Sequence, residues 1–361
     1  MVNHDYSLDF GDKLLALMRF VFKNNAEFRH NCLGFYAKFS PLWGWIHCTD
    51  ELQKTIEFST GSNPINLRSP IVLAAGANKN GKQINAFSNL GLGGITVGTA
   101  TRGFRSGNPH RPRIGLDEFN RLICNSMGLN NDGIEKISLR VEKQIVKARK
   151  NNFAVGISIA ETPGEEELSR MRTLIETFRI AYRTADYVEV NVSCPNTNER
   201  RQDLNIDFMK NTFGDFEKFR KTAVQRKAIY AKLSPDLEDK YLLFMLDLLA
   251  GLNVDGIILG NTYPSDKLFY YLPALNEQGT SGGISGRPLY ENTFRKTVLA
   301  KKHFPQLSIV PCGGIDHGLK VRDLLNEGAD FVQIYSVLAF RWMAAMKMVN
   351  EYGHSKNSHS G

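Results

Sequence analysis

The residues best suited to chemistry in this chain are amides, one loop cysteine and paired glycines. Cys194 lies in Asn-Val-Ser-Cys-Pro-Asn-Thr (191–197), a rigid, polar setting between Ser193 and Pro195. A thiol of ordinary pKa, about 8.5, can abstract a proton near neutral pH if a cation such as Lys79 favours the thiolate. No His or Asp lies within this motif, so a protease-like triad is unsupported. Asn125, Asn191, Asn196 and Asn261 offer neutral donors and acceptors that match both edges of a small planar molecule carrying carbonyl and N–H groups. An isolated asparagine is ordinarily a turn residue, but several at strand ends point to binding. Gly313-Gly314, Tyr335-Ser336 and Ser-Gly-Gly-Ile-Ser-Gly (281–286) suit a phosphorylated cofactor, because backbone N–H groups there can face an anion.

Elements must bring these residues together. Short, mostly continuous apolar runs recur at Pro70–Ala74, Gly94–Thr99, Phe153–Ile159, Tyr187–Val192, Ala228–Leu233, Gly256–Gly260, Ser308–Cys312 and Phe331–Tyr335. Such runs are the signature of parallel strands covered on both faces. Between them, Ile134–Lys150, Glu165–Arg183, Phe208–Lys227 and Tyr241–Gly251 carry apolar residues three and four apart, as amphipathic helices do. The alternation predicts a (β/α)8 TIM barrel, whose chemistry belongs at the C-terminal strand ends and whose phosphate site belongs after the last two strands. A doubly wound sheet is the rival, but no Gly-x-Gly-x-x-Gly closes the first strand.

The barrel is assigned to residues 57–352, with a small N-terminal helical lobe at 1–56 and a polar, frayed tail at 353–361. In the lobe, Asp12–Lys23 and Ala26–Phe39 read as helices, followed by Pro-Leu-Trp-Gly-Trp-Ile (41–46). These aromatic helices either pack on the barrel wall or form a membrane-surface lobe. In the second case Leu14, Leu17, Met18, Phe20, Val21 and Phe22 enter the lipid interface while Lys13, Arg19 and Lys23 meet acidic headgroups.

Over 361 residues, 42% hydrophobic and 23% charged side chains exclude collagen-like, wholly disordered and disulfide-scaffold classes. Five scattered cysteines without C-x-x-C spacing argue for reduced thiols and against a zinc site, so no metal is expected. The net charge of +8 favours anionic partners without choosing among them. No run of 18 apolar residues and no secretory signal occurs, and Asp5, Asp9 and Asp12 make a poor transit peptide.

Five motifs jointly resemble the dihydroorotate dehydrogenase family, over roughly residues 57–350. They are Ala-Ala-Gly-Ala-Asn-Lys-Asn-Gly (74–81), Gly-Asn-Pro-His-Arg-Pro-Arg (107–113), Asn-Ser-Met-Gly-Leu-Asn-Asn (125–131), the Cys194 motif and Gly-Gly-Ile-Ser-Gly-Arg-Pro-Leu (282–289). The resemblance implies an FMN-dependent barrel that oxidises dihydroorotate to orotate in pyrimidine synthesis. It places Lys79, Asn125, Asn191, Asn196, Asn261 and Thr262 on the substrate and Cys194 as the base for the C5 proton, while a hydride passes from C6 to flavin N5. It places Ala75, Gly76, Thr99, Asn125, Asn191, Lys232, Gly260, Ser285, Gly286, Gly314, Tyr335 and Ser336 around FMN, with Lys232 at the N1–C2 edge of the ring. Asn198–Asn205 is the implied lid.

Class features are mixed. Cys194, Asn-Ser-Met-Gly and Ser158 look like the soluble members, whereas the N-terminal extension, Gly-Gly-Ile-Ser-Gly-Arg-Pro-Leu and Ile-Tyr-Ser look like the membrane members. The departures are Ser158 for asparagine, Gly260 for threonine and the loss of Gly-Leu-Arg after Thr197. The extension favours a quinone oxidant reached between the lobe helices, with Arg113 and Tyr335 as polar contacts, and a peripheral location on an inner membrane. The alternatives are a cytoplasmic enzyme using fumarate or another soluble oxidant, and a flavin barrel reducing a base in tRNA. Without an aromatic-interleaved basic stretch or an appended RNA module, nucleic acid is not expected.

Overall fold

The eight apolar runs become strands because each is rich in β-branched or small residues and is sandwiched between the barrel interior and a layer of helices. The computed structural model describes residues 52–110, 112–192, 206–264, 281–341 and 343–357, together with Glu27, Leu33, Ala37, Lys38 and Leu275. Its strands are β1 (Lys54–Ile56), β2 (Ile65–Leu67), β3 (Ile71–Leu73), β4 (Gly94–Ala100), β5 (Ile114–Asp117), β6 (Leu122–Asn125) and β7 (Ala154–Ile159). They continue with β8 (Tyr187–Asn191), β9 (Ala228–Leu233), β10 (Gly256–Leu259), β11 (Tyr263–Pro264), β12 (Gly283–Gly286), β13 (Ser308–Pro311) and β14 (Val332–Ile334). Eight of these form one sheet around which β3, β4, β7, β8, β9, β10, β13 and β14 follow in chain order. A parallel bridge between Cys312 and Gln333 brings β13 against β14 and closes the barrel.

The helix Ile134–Lys150 shows how the outer layer is made. Ile134, Ile137, Val141, Ile145 and Ala148 are its buried stripe, Glu135 stands in the first turn, and Lys147, Arg149 and Lys150 stand in the last. That charge order complements the helix dipole, and the stripe joins the outward residues Val155, Ile157, Val188 and Val190 in the main core.

Inside the barrel a second apolar cluster fills the N-terminal end. Tyr187, Tyr230, Phe331, Val72, Ile258 and Val310 meet Ile56, Ile65 and Leu67 from the antiparallel hairpin β1–β2, which stoppers the barrel from below. The Tyr187 and Tyr230 rings pack edge-on at 5.6 Å, and Tyr230 meets Phe331 at 5.9 Å. Gly156 and Gly256 make room for them, since a Cβ at either would lie 2.3–2.5 Å from a tyrosine ring atom. Alternation along β8 then turns Tyr187, Glu189 and Asn191 inward at successive heights, from stopper to mouth.

Two features depart from the sequence reading. An antiparallel sheet of β11, β12, β6 and β5, drawn from segments outside the eight apolar runs, stands beside the barrel. The C-terminal helix runs over Ala344–Asn357, so residues 353–357 are helical and not part of a frayed tail. Ser355 is buried there, its hydroxyl donating to Tyr352 O at 2.8 Å, and Gly353 packs near Leu52. Of the proposed lobe helices only Glu27, Leu33, Ala37 and Lys38 are described; all four are helical, and Leu33 and Ala37 are buried in the main core. The segment 41–46 lies outside the described residues. Among the described residues no helix is long and apolar enough to cross a membrane, and no cluster of His, Cys, Asp or Glu is suited to a metal ion.

Candidate active site

A cleft opens at the C-terminal strand ends. Ala75, Lys232, Asn261 and Thr262 line one part of it, and Ser285, Gly286, Gly314, Tyr335 and Ser336 line the rest, with Cys312 and Gln333 in its wall. At the mouth, Asn261 Nδ2 donates to Asn191 Oδ1 at 3.1 Å and Thr262 N donates to Asn261 Oδ1 at 2.9 Å, which fixes both amides. The hydroxyls of Thr262 and Ser285 are buried without a hydrogen-bond partner among the described residues. Buried polar atoms left this way ordinarily mark a ligand or water position. Gly260 has φ +137°, and a Cβ there would collide with Cys312 O, so the turn out of β10 admits only glycine.

Of the other sequence-predicted residues, Gly76 follows β3, Thr99 lies in β4 and Asn125 ends β6. Gly76 N donates to Gly98 O at 2.8 Å, and a side chain at Gly76 would project into open space. The Thr99 hydroxyl meets that of Ser158 at 3.0 Å. Asn125 Nδ2 donates to Gly283 O at 3.3 Å, tying β6 to β12. Lys79 stands in the loop after β3 and is not among the lining residues. Cys194, Asn196 and the segment 198–205 lie outside the described residues.

Beneath the mouth Lys232, named by the sequence reading, meets a layer of polar side chains that the sequence reading missed. Lys232 Nζ is 3.3 Å from Glu189 Oε1, with side-chain exposures of 7% and 0%. Gln333 Nε2 donates to Glu189 Oε2 at 3.0 Å and to Thr96 Oγ1 at 3.2 Å, and Thr96 Oγ1 lies 2.8 Å from the Tyr187 hydroxyl. The available signal was a carboxylate inside the apolar run Tyr-Val-Glu-Val-Asn, two residues from Tyr187 and two from Asn191 on the same strand face. Cys312 packs against the lower apolar cluster and forms part of the cleft wall. Burial raises its thiol pKa; Glu189 adds to the rise and Lys232 opposes it, so it stays protonated at neutral pH.

At the end formed by Gly314 and Ser336 an adjoining pocket is lined by Arg121, Arg287 and Arg341 with Asp316. Arg287 Nε lies 3.6 Å from Asp316 Oδ2, and the Arg121 guanidinium sits 5.6 Å from the centre of the Phe340 ring. Three guanidinium groups against one carboxylate make this end attractive to a phosphate. The two unpartnered hydroxyls, the open face of Gly76 and this cationic end fit a planar, phosphorylated cofactor. Burial pushes the Tyr335 phenol upward, so it remains a neutral donor. Arg113, expected to meet a quinone, is buried and paired with Glu27: its Nε donates to Glu27 Oε2 at 3.3 Å, while its Nη1 donates to Ser106 O at 2.9 Å.

The dihydroorotate dehydrogenase family model matches residues 59–352. Dihydroorotate dehydrogenase (quinone) of Bordetella avium (strain 197N) is 33% identical over 305 residues, covering 82% of this chain and 83% of its own. The protein of the same name from Polynucleobacter necessarius subsp. necessarius (strain STIR1) is 31% identical over 339 residues, covering 91% and 95%. The ligand-free DHODH crystal structure from Eimeria tenella aligns at a TM-score of 0.80 and 24% identity over 92% of this chain and 95% of its own, a likeness of fold. On the extent of the family match and the identity to these relatives, the chain belongs to the dihydroorotate dehydrogenase family.

Proposed function

We propose that this protein oxidises dihydroorotate to orotate in pyrimidine biosynthesis, with FMN in the cleft and a quinone as final oxidant. The observation that carries the reading is that the family match spans the barrel whose strand ends gather Asn191, Asn261, Thr262 and Lys232 around buried, unpartnered hydroxyls. FMN, when bound, supplies the hydride acceptor. Lys79, Asn125, Asn191, Asn196, Asn261 and Thr262 hold the substrate ring and its carboxylate, so that orientation lowers the barrier. Cys194 Sγ takes the C5 proton. Lys232 presents a positive charge to the ring edge. Ala75, Gly76, Thr99, Gly260, Ser285 and Gly286 would hold the flavin, and Gly314, Tyr335 and Ser336 would receive its phosphate beside the arginine-lined pocket. Residues 1–56 form the lobe that meets a membrane surface and admits the quinone, and 57–352 form the catalytic barrel.

A soluble oxidant such as fumarate is the second reading. The Glu27–Arg113 pair and the burial of Leu33 and Ala37 favour it, since they give the described lobe residues a packing role. The test is an oxidant panel on yellow, purified protein given dihydroorotate, with and without detergent. Reduction of a quinone analogue well above fumarate is expected; fumarate turnover alone overturns the quinone assignment. Cys194→Ala should lower kcat by about 10²–10⁴-fold, the usual worth of a positioned base, with orotate binding retained. An unchanged kcat rejects Cys194 as the base.

A further inference from the structure

We propose that Glu189 is a positioning residue for Lys232, and that it holds the reduction potential of the bound cofactor below the value the lysine alone would set. The inference rests on the flavin reading of the cleft. Lys232 lines the cleft and Glu189 does not: the carboxylate lies behind the ammonium, at 3.3 Å, on the neighbouring strand β8. Its other oxygen is tethered by Gln333, which is itself tethered to Thr96, so side chains from β4, β8, β9 and β14 fix one pair.

A buried ion pair is costly to desolvate and contributes little to stability compared with apolar residues of the same volume. The stopper just below, with Tyr230, Phe331 and Ile258, shows that apolar residues fill this barrel readily. The charge at this height therefore acts on the cleft above it. A flavin gains negative charge on reduction, and the Lys232 ammonium favours that form. Because Coulomb energy falls only as the inverse of distance, a carboxylate one contact further away cancels part of this preference. The reduced cofactor is then less stabilised and yields its electrons more readily, while the carboxylate keeps Nζ at one point of the wall.

The test is the reduction potential of the flavin in the holoenzyme, measured against a reference dye, for wild type, Glu189→Gln and Glu189→Asp. Glu189→Gln keeps the shape and the contact with Gln333 but removes the charge. It should favour reduced over oxidised flavin by about tenfold, an upward shift of about 30 mV for a two-electron couple, and slow reoxidation by the acceptor. Glu189→Asp keeps the charge but draws it back from Nζ, so a smaller upward shift is expected. If Glu189→Gln fails to fold or to hold flavin, the aspartate variant decides by the same reading. A reduced-to-oxidised ratio within twofold of wild type at equal poise, a shift under about 9 mV for a two-electron couple, in the deciding variant overturns the proposal and leaves the flavin reading intact. A wild-type protein that binds no flavin overturns both.

Discussion

Arg220 and Lys232 are both buried cations paired with carboxylates, one below the barrel and one at its mouth, and their surroundings differ. Arg220 and Asp255 are each 0% exposed in their side chains. Arg220 donates to Asp255, to Glu217 Oε2 at 2.7 Å, to Ser62 Oγ at 3.4 Å and to Asn253 O, while Asp255 also accepts from Thr60 and from Ile229 N at 2.7 Å. At the mouth, Thr262 Oγ1, Ser285 Oγ and Gln333 Oε1 have no hydrogen-bond partner among the described residues, and Glu189 Oε1 has only the ion pair with Lys232. A saturated network stabilises the fold, whereas an incomplete one is finished by a ligand.

Single substitutions can break or sharpen this contrast. Arg220→Leu strands the fully buried Asp255 without its cation and leaves Glu217 with Arg226 alone, and should cost about 3–5 kcal/mol, read as a fall in the denaturant midpoint, with orotate affinity unchanged in the folded fraction. A loss below about 1 kcal/mol would mean that the lower network is not structural. At the mouth, Thr262→Val combined with Ser285→Ala should leave stability nearly unchanged. Each lost hydrogen bond to ligand is worth about 0.5–1.5 kcal/mol, so affinity for flavin or orotate should weaken by up to about tenfold per group. Equal affinity, or a large loss of stability, would show that these hydroxyls already have what they need.

The smallest effect belongs to Lys227, at the lower end, whose ammonium donates to Tyr182 O at 2.7 Å and to Arg183 O at 3.1 Å. Burial lowers its pKa from 10.5 to about 8, with Arg149 adding to the fall and Asp186 opposing it. The unfolded chain therefore holds the proton more tightly, and this residue's contribution to stability rises with pH between the two values. Lys227→Met should flatten that rise in urea melts followed from about pH 7.5 to about pH 9.5; an unchanged slope would assign it elsewhere.

Much of the barrel is legible because its strands are buried on both faces and stand out as apolar runs. Ala228–Leu233 coincides with β9, and Gly94–Thr99 differs from β4 by one residue. The side sheet is not legible. β5 (Ile-Gly-Leu-Asp) and β6 (Leu-Ile-Cys-Asn) each end in a polar residue and show neither a long apolar run nor a sustained alternation. The turn between them is made by Asp117 Oδ1, which accepts from Phe119 N at 3.1 Å and Asn120 N at 3.0 Å, and by Arg121 at φ +56°. At the mouth the asparagines stand out because amides cluster after strands. Glu189 stays hidden because only a closed barrel gives its strand an inside, and the pairing of Glu27 with Arg113 joins residues 86 apart in sequence.

The Gln333 amide reaches back across 237 residues to Thr96, and its strand sits beside β3, the first of the barrel. A chain emerging from the ribosome cannot complete the seat for the cofactor until this last staple has been synthesised and docked. Flavin capture therefore comes late in maturation, and the yellow colour of a preparation counts the molecules whose topology is finished.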